Sequence, residues 1–192
     1  MFSLKNISPS ITDMIRFDHS HVMLTSHQYV VTKRAAVKKA LAETICDALE
    51  IHATLEEETF YPALRQLGMG GTALEKSVPE HLEMRNMIDR IRKADPATPR
   101  YDQLVSELMR DVMHHVADEE TILLPEAERM LGKTRLNELG IQMSRRRMQL
   151  LAPKAGKVAM NTVVGFSSST VAVVLSAVSA LLVGRFLSKK LI

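Results

Sequence analysis

The sequence predicts an all-α protein: an up-down-up-down four-helix bundle with a metal site in its core, followed by a short helix and a C-terminal transmembrane helix. Three observations carry this expectation. Among 192 residues only 8 are Gly and 7 are Pro, and aromatic residues make up 4%, a composition that favours helix over sheet. A constellation of histidine and glutamate occurs twice at helical spacing. A long uncharged run closes the chain between two basic clusters. The expected organisation is a bundle over residues 8–132, a basic helix and linker over 133–157, and the membrane helix over 158–187.

Ser8 and Pro9 read as the start of the first helix, with proline at the first helical position, where its missing N–H costs nothing. Ile11, Met14, Ile15, His19, Val22 and Met23 then recur at helical steps as one inward stripe. The chain must reverse near Val31 to Ala35, although no glycine or proline marks the place. A second helix through Val37, Leu41, Ile45, Leu49, His52 and Glu56 runs on to Leu67, where Gly68, Gly70 and Gly71 end it. A third, from about Thr72 to Ala94, carries His81. Asp95-Pro96-Ala97-Thr98-Pro99 breaks the chain, and a fourth helix from about Tyr101 to Leu131 carries His115. Thr98 falls midway between His81 and His115, so an antiparallel hairpin brings those two to one level; the shared spacing implies the same for His19 and His52.

The duplicated set is His52, Glu56, Glu57, Pro62 and His115, Glu119, Glu120, Pro125, each copy preceded 33 or 34 residues upstream by an acid and a histidine, Asp18-His19 and Glu80-His81. Residues four apart on a helix share a face, so each His-x-x-x-Glu aims an imidazole and a carboxylate at one point. Two such pairs facing each other, with His19 and His81, make a set for two metal ions. Imidazole with carboxylate suits iron, zinc or manganese, and the lack of cysteine ligands argues against a structural zinc finger or an iron–sulfur cluster. Six groups shared by two metals leave coordination positions open for small molecules. His21 and His27 point away from the His19 direction. His114 and Asp118 are also four apart, but only His115 keeps the ten-residue distance to proline seen in the first copy. Left without metal, six polar groups meeting inside a bundle would carry a heavy desolvation cost.

This set resembles the hemerythrin-like family, the HHE cation-binding domains, over roughly residues 10 to 131. The resemblance implies two non-haem iron ions, with His19, His52, His81 and His115 as terminal imidazoles and Glu56 and Glu119 as bridging carboxylates. It implies binding of O2, peroxide or NO for sensing, delivery or protection; a di-iron peroxidase or NO-reducing enzyme, and a metal store or scaffold, are the alternatives. One departure stands out. The oxygen-carrying members place a second histidine one turn after the first on the third helix, where this chain has Arg85. Glu57, Glu83 and Glu120 all stand near enough in sequence to replace it, and the sequence does not choose among them. A site poorer in histidine favours redox or sensing chemistry over reversible storage.

Charge divides the chain. Residues 1–132 carry 15 Lys/Arg against 21 Asp/Glu, and residues 133–192 carry 10 against the single Glu138. Val158 to Gly184 holds no charged residue, and its 21-residue stretch Val163 to Val183 would span about 30 Å as a helix, the thickness of a hydrocarbon core. Arg145, Arg146, Arg147, Lys154 and Lys157 precede it and Arg185, Lys189 and Lys190 follow. The excess before the span predicts a single-pass anchor with the metal domain on the cytoplasmic side. Ser168, Ala172, Ser176, Ala180 and Gly184 form a stripe of small residues, which suggests a homo-oligomer through this helix. No recognition motif accompanies the basic residues, so no nucleic-acid partner is expected. The single cysteine, Cys46, precludes an internal disulfide. No charged-then-apolar opening is seen, so no secretory leader is expected. The twelve methionines read as core filler.

Overall fold

The structure, a computed structural model, describes residues 9–166. Helix α1 (Ile11–Val31) starts two residues later than expected. Ser10, not Pro9, sets the boundary, because its hydroxyl accepts the Asp13 N–H at 3.1 Å while the Asp13 carboxylate accepts the Ser10 N–H at 3.1 Å. This reciprocal cap satisfies two otherwise orphaned donors and places Pro9 outside the helix. The reversal to α2 (Ala35–Leu55) needs no glycine, since Thr32 and Arg34 take ordinary extended conformations (φ −82° and −85°). A single π turn, Glu56–Phe60, joins α2 to the short α3 (Tyr61–Gln66).

Helix α4 (Thr72–Lys93) and helix α5 (Pro99–Asp118) form the second hairpin, and a second π turn, Glu119–Leu123, leads into α6 (Leu124–Leu151). Gly132 breaks α6 with φ 67°, a left-handed value that a side chain would oppose. The fourth bundle helix therefore ends at Leu131, as the sequence indicates, and a separate helical segment follows.

That segment lies along α1 in the same direction. Gly140 meets the start of α1, where a Cβ would stand 2.3 Å from the Pro9 carbonyl oxygen; Ser144 contacts Met14 and Arg147 reaches Asp18. A 3-10 turn at Ala152–Lys154 carries the chain into α7 (Ala155–Gly165), which packs antiparallel on α2. Residues 158–166, expected to open the membrane helix, instead lie on the bundle: Gly165 abuts Leu41, and Phe166 is buried in the core with Leu41, Ile45 and Leu104. Among the described residues no helix is long and apolar enough to cross a membrane. The rest of the expected span, residues 167–187, lies outside the described residues.

The basic tail finds partners within the chain. Arg146 pairs with Glu58 at 2.6 Å, Arg147 with Asp18 at 2.5 Å, Lys154 with Asp47 and Glu50 at 3.0 and 2.8 Å, and Lys157 with Glu43 and Asp47 at 2.6 and 3.0 Å. Four of the five basic residues that precede the apolar run are thus neutralising acids of the bundle. Exposed pairs of this kind contribute little singly, but Asp47 is buried and Arg92 also reaches it at 3.1 Å, so three cations converge on one enclosed carboxylate.

Two apolar clusters fill the interior. Val22, Leu49, Met84, Ile88, Leu108 and Val112 belong to one; Ile11, Ile15, Leu55, Phe60, Leu123 and Leu124 belong to the other. Between them, on α1, α2, α4, α5 and the two π turns, lies a layer of buried histidine and glutamate.

Candidate metal centre

The structure brings all six predicted residues into that layer. His19, His52, His81, His115, Glu56 and Glu119 are all buried. Their ligand atoms form two groups, His19–His52–Glu56–Glu119 and Glu56–His81–His115, each with its atoms within 4.8 Å of one another. Glu56 Oε2 lies 3.2 Å from His52 Nε2 and 3.5 Å from His81 Nε2. Glu119 Oε2 lies 3.3 Å from His19 Nε2 and 3.6 Å from His115 Nε2. Each carboxylate therefore reaches one histidine of each group, the geometry of a bridge between two positions.

The outer nitrogens are anchored by acids that neighbour the inner set in sequence. Glu120 takes His19 Nδ1 at 2.8 Å, Asp18 takes His52 Nδ1 at 3.3 Å, Glu57 takes His81 Nδ1 at 3.0 Å and Glu80 takes His115 Nδ1 at 2.8 Å. An Nδ1–H donated to a carboxylate fixes the tautomer and leaves Nε2 as a lone pair facing inward. Glu57 and Glu120, open as substitutes for the missing histidine, are thereby engaged at the backs of His81 and His19. Arg85 supports the first of these, with two bonds to Glu57 at 2.8 and 3.1 Å. Glu83 is exposed and stays outside both groups. His27 and His114 are exposed, and His21 is half-buried away from the cluster.

The donor set fits a cation. His19 Nε2, His52 Nε2, Glu56 Oε1 and Glu119 Oε2 are buried without a hydrogen-bond partner among the described residues, a costly condition unless something positive lies among them. His81 Nε2 and His115 Nε2 face each other at 3.1 Å, and with both Nδ1 protons committed outward, two lone pairs meet there. Burial and the charge of Glu119 raise the Glu56 pKa well above the usual carboxylate range. Burial works against ionisation of Glu119 too, but its contacts with His19, His115 and His52 outweigh burial and lower its pKa. Burial and His115 bring His81 down to about 4. In the metal-free fold Glu56 thus retains a proton that a cation would displace.

Linkage gives the sign of the consequence. A raised Glu56 pKa contributes stability at low pH that is lost as pH rises through the folded value, and a bound cation removes that loss. The gap in melting temperature between loaded and metal-free protein is therefore expected to widen as pH rises. Paired melts at rising pH measure it, and a gap that narrowed would contradict the assignment of Glu56.

Tyr61 was not among the candidates. Its buried hydroxyl donates to Glu119 Oε1 at 2.8 Å, lies 3.1 Å from Glu56 Oε2 and approaches His81 Nε2 at 3.4 Å. Burial and the two carboxylates push its pKa far upward, so it stays a neutral phenol in the metal-free fold. The π turn places it there: the Tyr61 N–H bonds to the Glu56 carbonyl five residues back. Pro62 supplies the reason, since it lacks an N–H and its ring crowds the preceding turn. The second copy repeats the device with Leu124 and Pro125, the Leu124 N–H bonding to the Glu119 carbonyl. Tyrosine therefore enters the site from one half of the duplication only.

A cavity of about 230 Å³ opens beside the four histidines, lined on one side by Val22, Leu49, Met84, Leu108 and Val112 and edged by Glu83, Asp111 and His114. Its walls are mostly apolar, which suits a small uncharged ligand.

Comparison with known proteins identifies the domain and its fold. Residues 10–127 match the hemerythrin HHE cation-binding domain family. The chain is 30% identical over 115 residues, 59% of its length, to a protein named DNA nickase from Nostoc sp. (strain PCC 7120 / SAG 25.82 / UTEX 2576), of which it spans about a third, 32%. Its fold is similar to the crystal structure of a hemerythrin HHE cation-binding domain-containing protein from Mycobacterium kansasii, with a TM-score of 0.65 and 18% identity over 88% of this chain and 99% of that one. The chain belongs to the hemerythrin HHE cation-binding domain family.

Proposed function

We propose that this is a di-iron protein whose inward histidines and glutamates hold two non-haem iron ions, and whose apolar cavity admits O2 or a related small oxidant or diatomic for sensing, delivery or protection. The observation that carries the reading is the bridging placement of Glu56 and Glu119 among buried atoms that lack partners. Two negative bridges offset the repulsion of two adjacent cations. The four acid-backed imidazoles hold their Nε2 atoms still, and the cavity beside them has a wall of Val22, Leu49, Met84, Leu108 and Val112. Bound iron would supply Lewis acidity and one-electron chemistry. A mixed nitrogen and oxygen set with more than four groups suits iron better than a tetrahedral zinc site, with manganese the weaker rival.

The test is iron per chain together with optical spectra, taken anaerobically and then in air. Two ions and a spectral change on admitting air are expected; a chain isolated with zinc alone, or indifferent to air, would contradict the reading. The Tyr61 hydroxyl favours a second reading, an enzyme consuming peroxide or NO, because such reductions consume protons and a phenol lies within the cluster. Sustained turnover of either substrate by iron-loaded protein, weakened in Tyr61→Phe, would establish it.

Membrane anchorage belongs to the same proposal, with the uncharged stretch that follows the packed Phe166, residues 167–184, as its support. The anchor would be a single pass with the bundle on the cytoplasmic side, and its small-residue stripe would pair copies of the chain. The full chain should sediment with membranes and resist alkaline wash. Leu175→Arg should cost about 3 kcal/mol of insertion and shift protein to the soluble fraction. Wild-type chain recovered without detergent would overturn this part alone.

A further inference from the structure

Arg147 stands beyond residue 127, where the family match ends, yet it reaches the metal layer. From α6 it makes two bonds to Asp18, Nη1 to Oδ1 at 2.5 Å and Nη2 to Oδ2 at 2.6 Å. The same Oδ2 lies 3.3 Å from His52 Nδ1. Asp18 is thus gripped from outside by a planar fork and turned toward the back of a histidine on α2. Glu57 shows the matching arrangement on the other side, with Arg85 as the fork and His81 as the imidazole. Arg85 comes from a helix of the bundle, α4, whereas Arg147 comes from the segment that leads into the apolar run. Arg146, one residue earlier, bonds to exposed Glu58 and to Gln149, neither of which touches the metal layer.

We propose that Arg147 is a positioning residue of the metal centre, through which the C-terminal segment controls retention of the ion between His19 and His52. The inference rests on the two-ion reading. A guanidinium fork fixes both oxygens of a carboxylate, so the acid holds one orientation and the imidazole behind it holds one tautomer. Without the fork Asp18 is free to turn to solvent, and His52 loses its orientation. The His81 and His115 position keeps its own supports, Glu57 with Arg85 and Glu80, and is left intact.

The experiment loads full-length protein with ferrous iron, removes loose metal, and counts iron per chain for wild type, Arg147→Met, Arg147→Lys and Arg146→Met. Arg147→Met is expected to fall from two ions toward one, its affinity for the lost ion weakened about 10- to 100-fold. Arg147→Lys should recover part of the loss, and Arg146→Met should keep both. Asp18→Asn should lose the same ion, and the double variant Asp18→Asn/Arg147→Met should be no worse than Asp18→Asn, because Arg147 acts through Asp18. Two ions retained in Arg147→Met, equal loss in Arg146→Met, or additive losses in the double variant would each overturn the proposal. If Arg147→Met does not fold, Asp18→Asn decides: loss of one ion supports the path through Asp18, and retention of two removes it. A wild type that takes up fewer than two ions would sink the two-ion reading itself.

Discussion

Glu56→Ala and Glu119→Ala are each expected to reduce bound iron from two ions per chain to less than one. Each carboxylate reaches a histidine of both groups, so its removal deprives both positions at once. A histidine change such as His115→Ala removes a donor from one position only, and His21→Ala or His114→Ala should leave both ions in place. Stability should divide by metal state. At a free metal concentration a thousandfold above its dissociation constant, binding stabilises the wild type by about 4 kcal/mol, and Glu56→Ala should lose that increment. The metal-free form of Glu56→Ala should melt no lower than metal-free wild type, because a buried carboxyl with a raised pKa and an unpartnered oxygen has been removed. Iron analysis with melts in both states reads both effects. A Glu56→Ala protein that kept two ions, or lost stability only when metal-free, would oppose the bridging assignment.

Phe166→Ala is expected to destabilise the bundle by about 3 kcal/mol, the usual cost of emptying a buried phenyl site. Phe166 is 5% exposed and packs with Leu41, Ile45 and Leu104. The same logic locates the boundary of the folded unit. A chain stopped after Phe166 should melt like the full bundle. A chain stopped after Leu151 loses α7, Phe166 and the Lys154 and Lys157 partners of Asp47, and should melt lower by roughly 10 °C. It keeps Arg147 and the six inward groups, so wherever it remains folded it should still take up iron. Thermal melts of the two truncations decide the matter; equal melting would mean that α7 contributes nothing.

The bundle was legible because helical periodicity writes the buried face directly into the order of residues. The breaks at Gly68 to Gly71 and at Asp95 to Pro99 needed only local rules, whereas the reversal at Thr32 to Arg34 carries no glycine or proline and could be placed only broadly, near Val31 to Ala35. The inner histidines and glutamates were legible for the same reason, amplified by duplication. What lay across helices was not. Asp18 and Glu80 were visible as acids beside histidines, but each serves a histidine on the opposite helix of its hairpin, a pairing that depends on helix rotation. Tyr61 was hidden because its reach depends on a π turn, and no periodicity marks an extra residue in a helix. The proline ten residues after each histidine was the available signal, and its effect on the turn would have pointed to the residue before it.

The tail shows a different limit. Composition gave the sign of its charge correctly and suggested a membrane surface as partner, whereas Asp18, Glu43, Asp47, Glu50 and Glu58 of the same chain receive four of its cations. An acidic body and a basic tail are complementary, and net charge alone does not say whether the complement is internal. Residues 158–166 illustrate the point again: an uncharged sequence reads as lipid-facing, yet Gly165 lets the end of α7 lie close on α2, against Leu41.

Anomalous diffraction at the iron edge, from crystals of iron-loaded full-length protein, tests the central claim most directly. Two peaks are expected between Glu56 and Glu119, one beside His19 and His52 and the other beside His81 and His115. A single peak, or a peak beside His114 or Glu83, would contradict it.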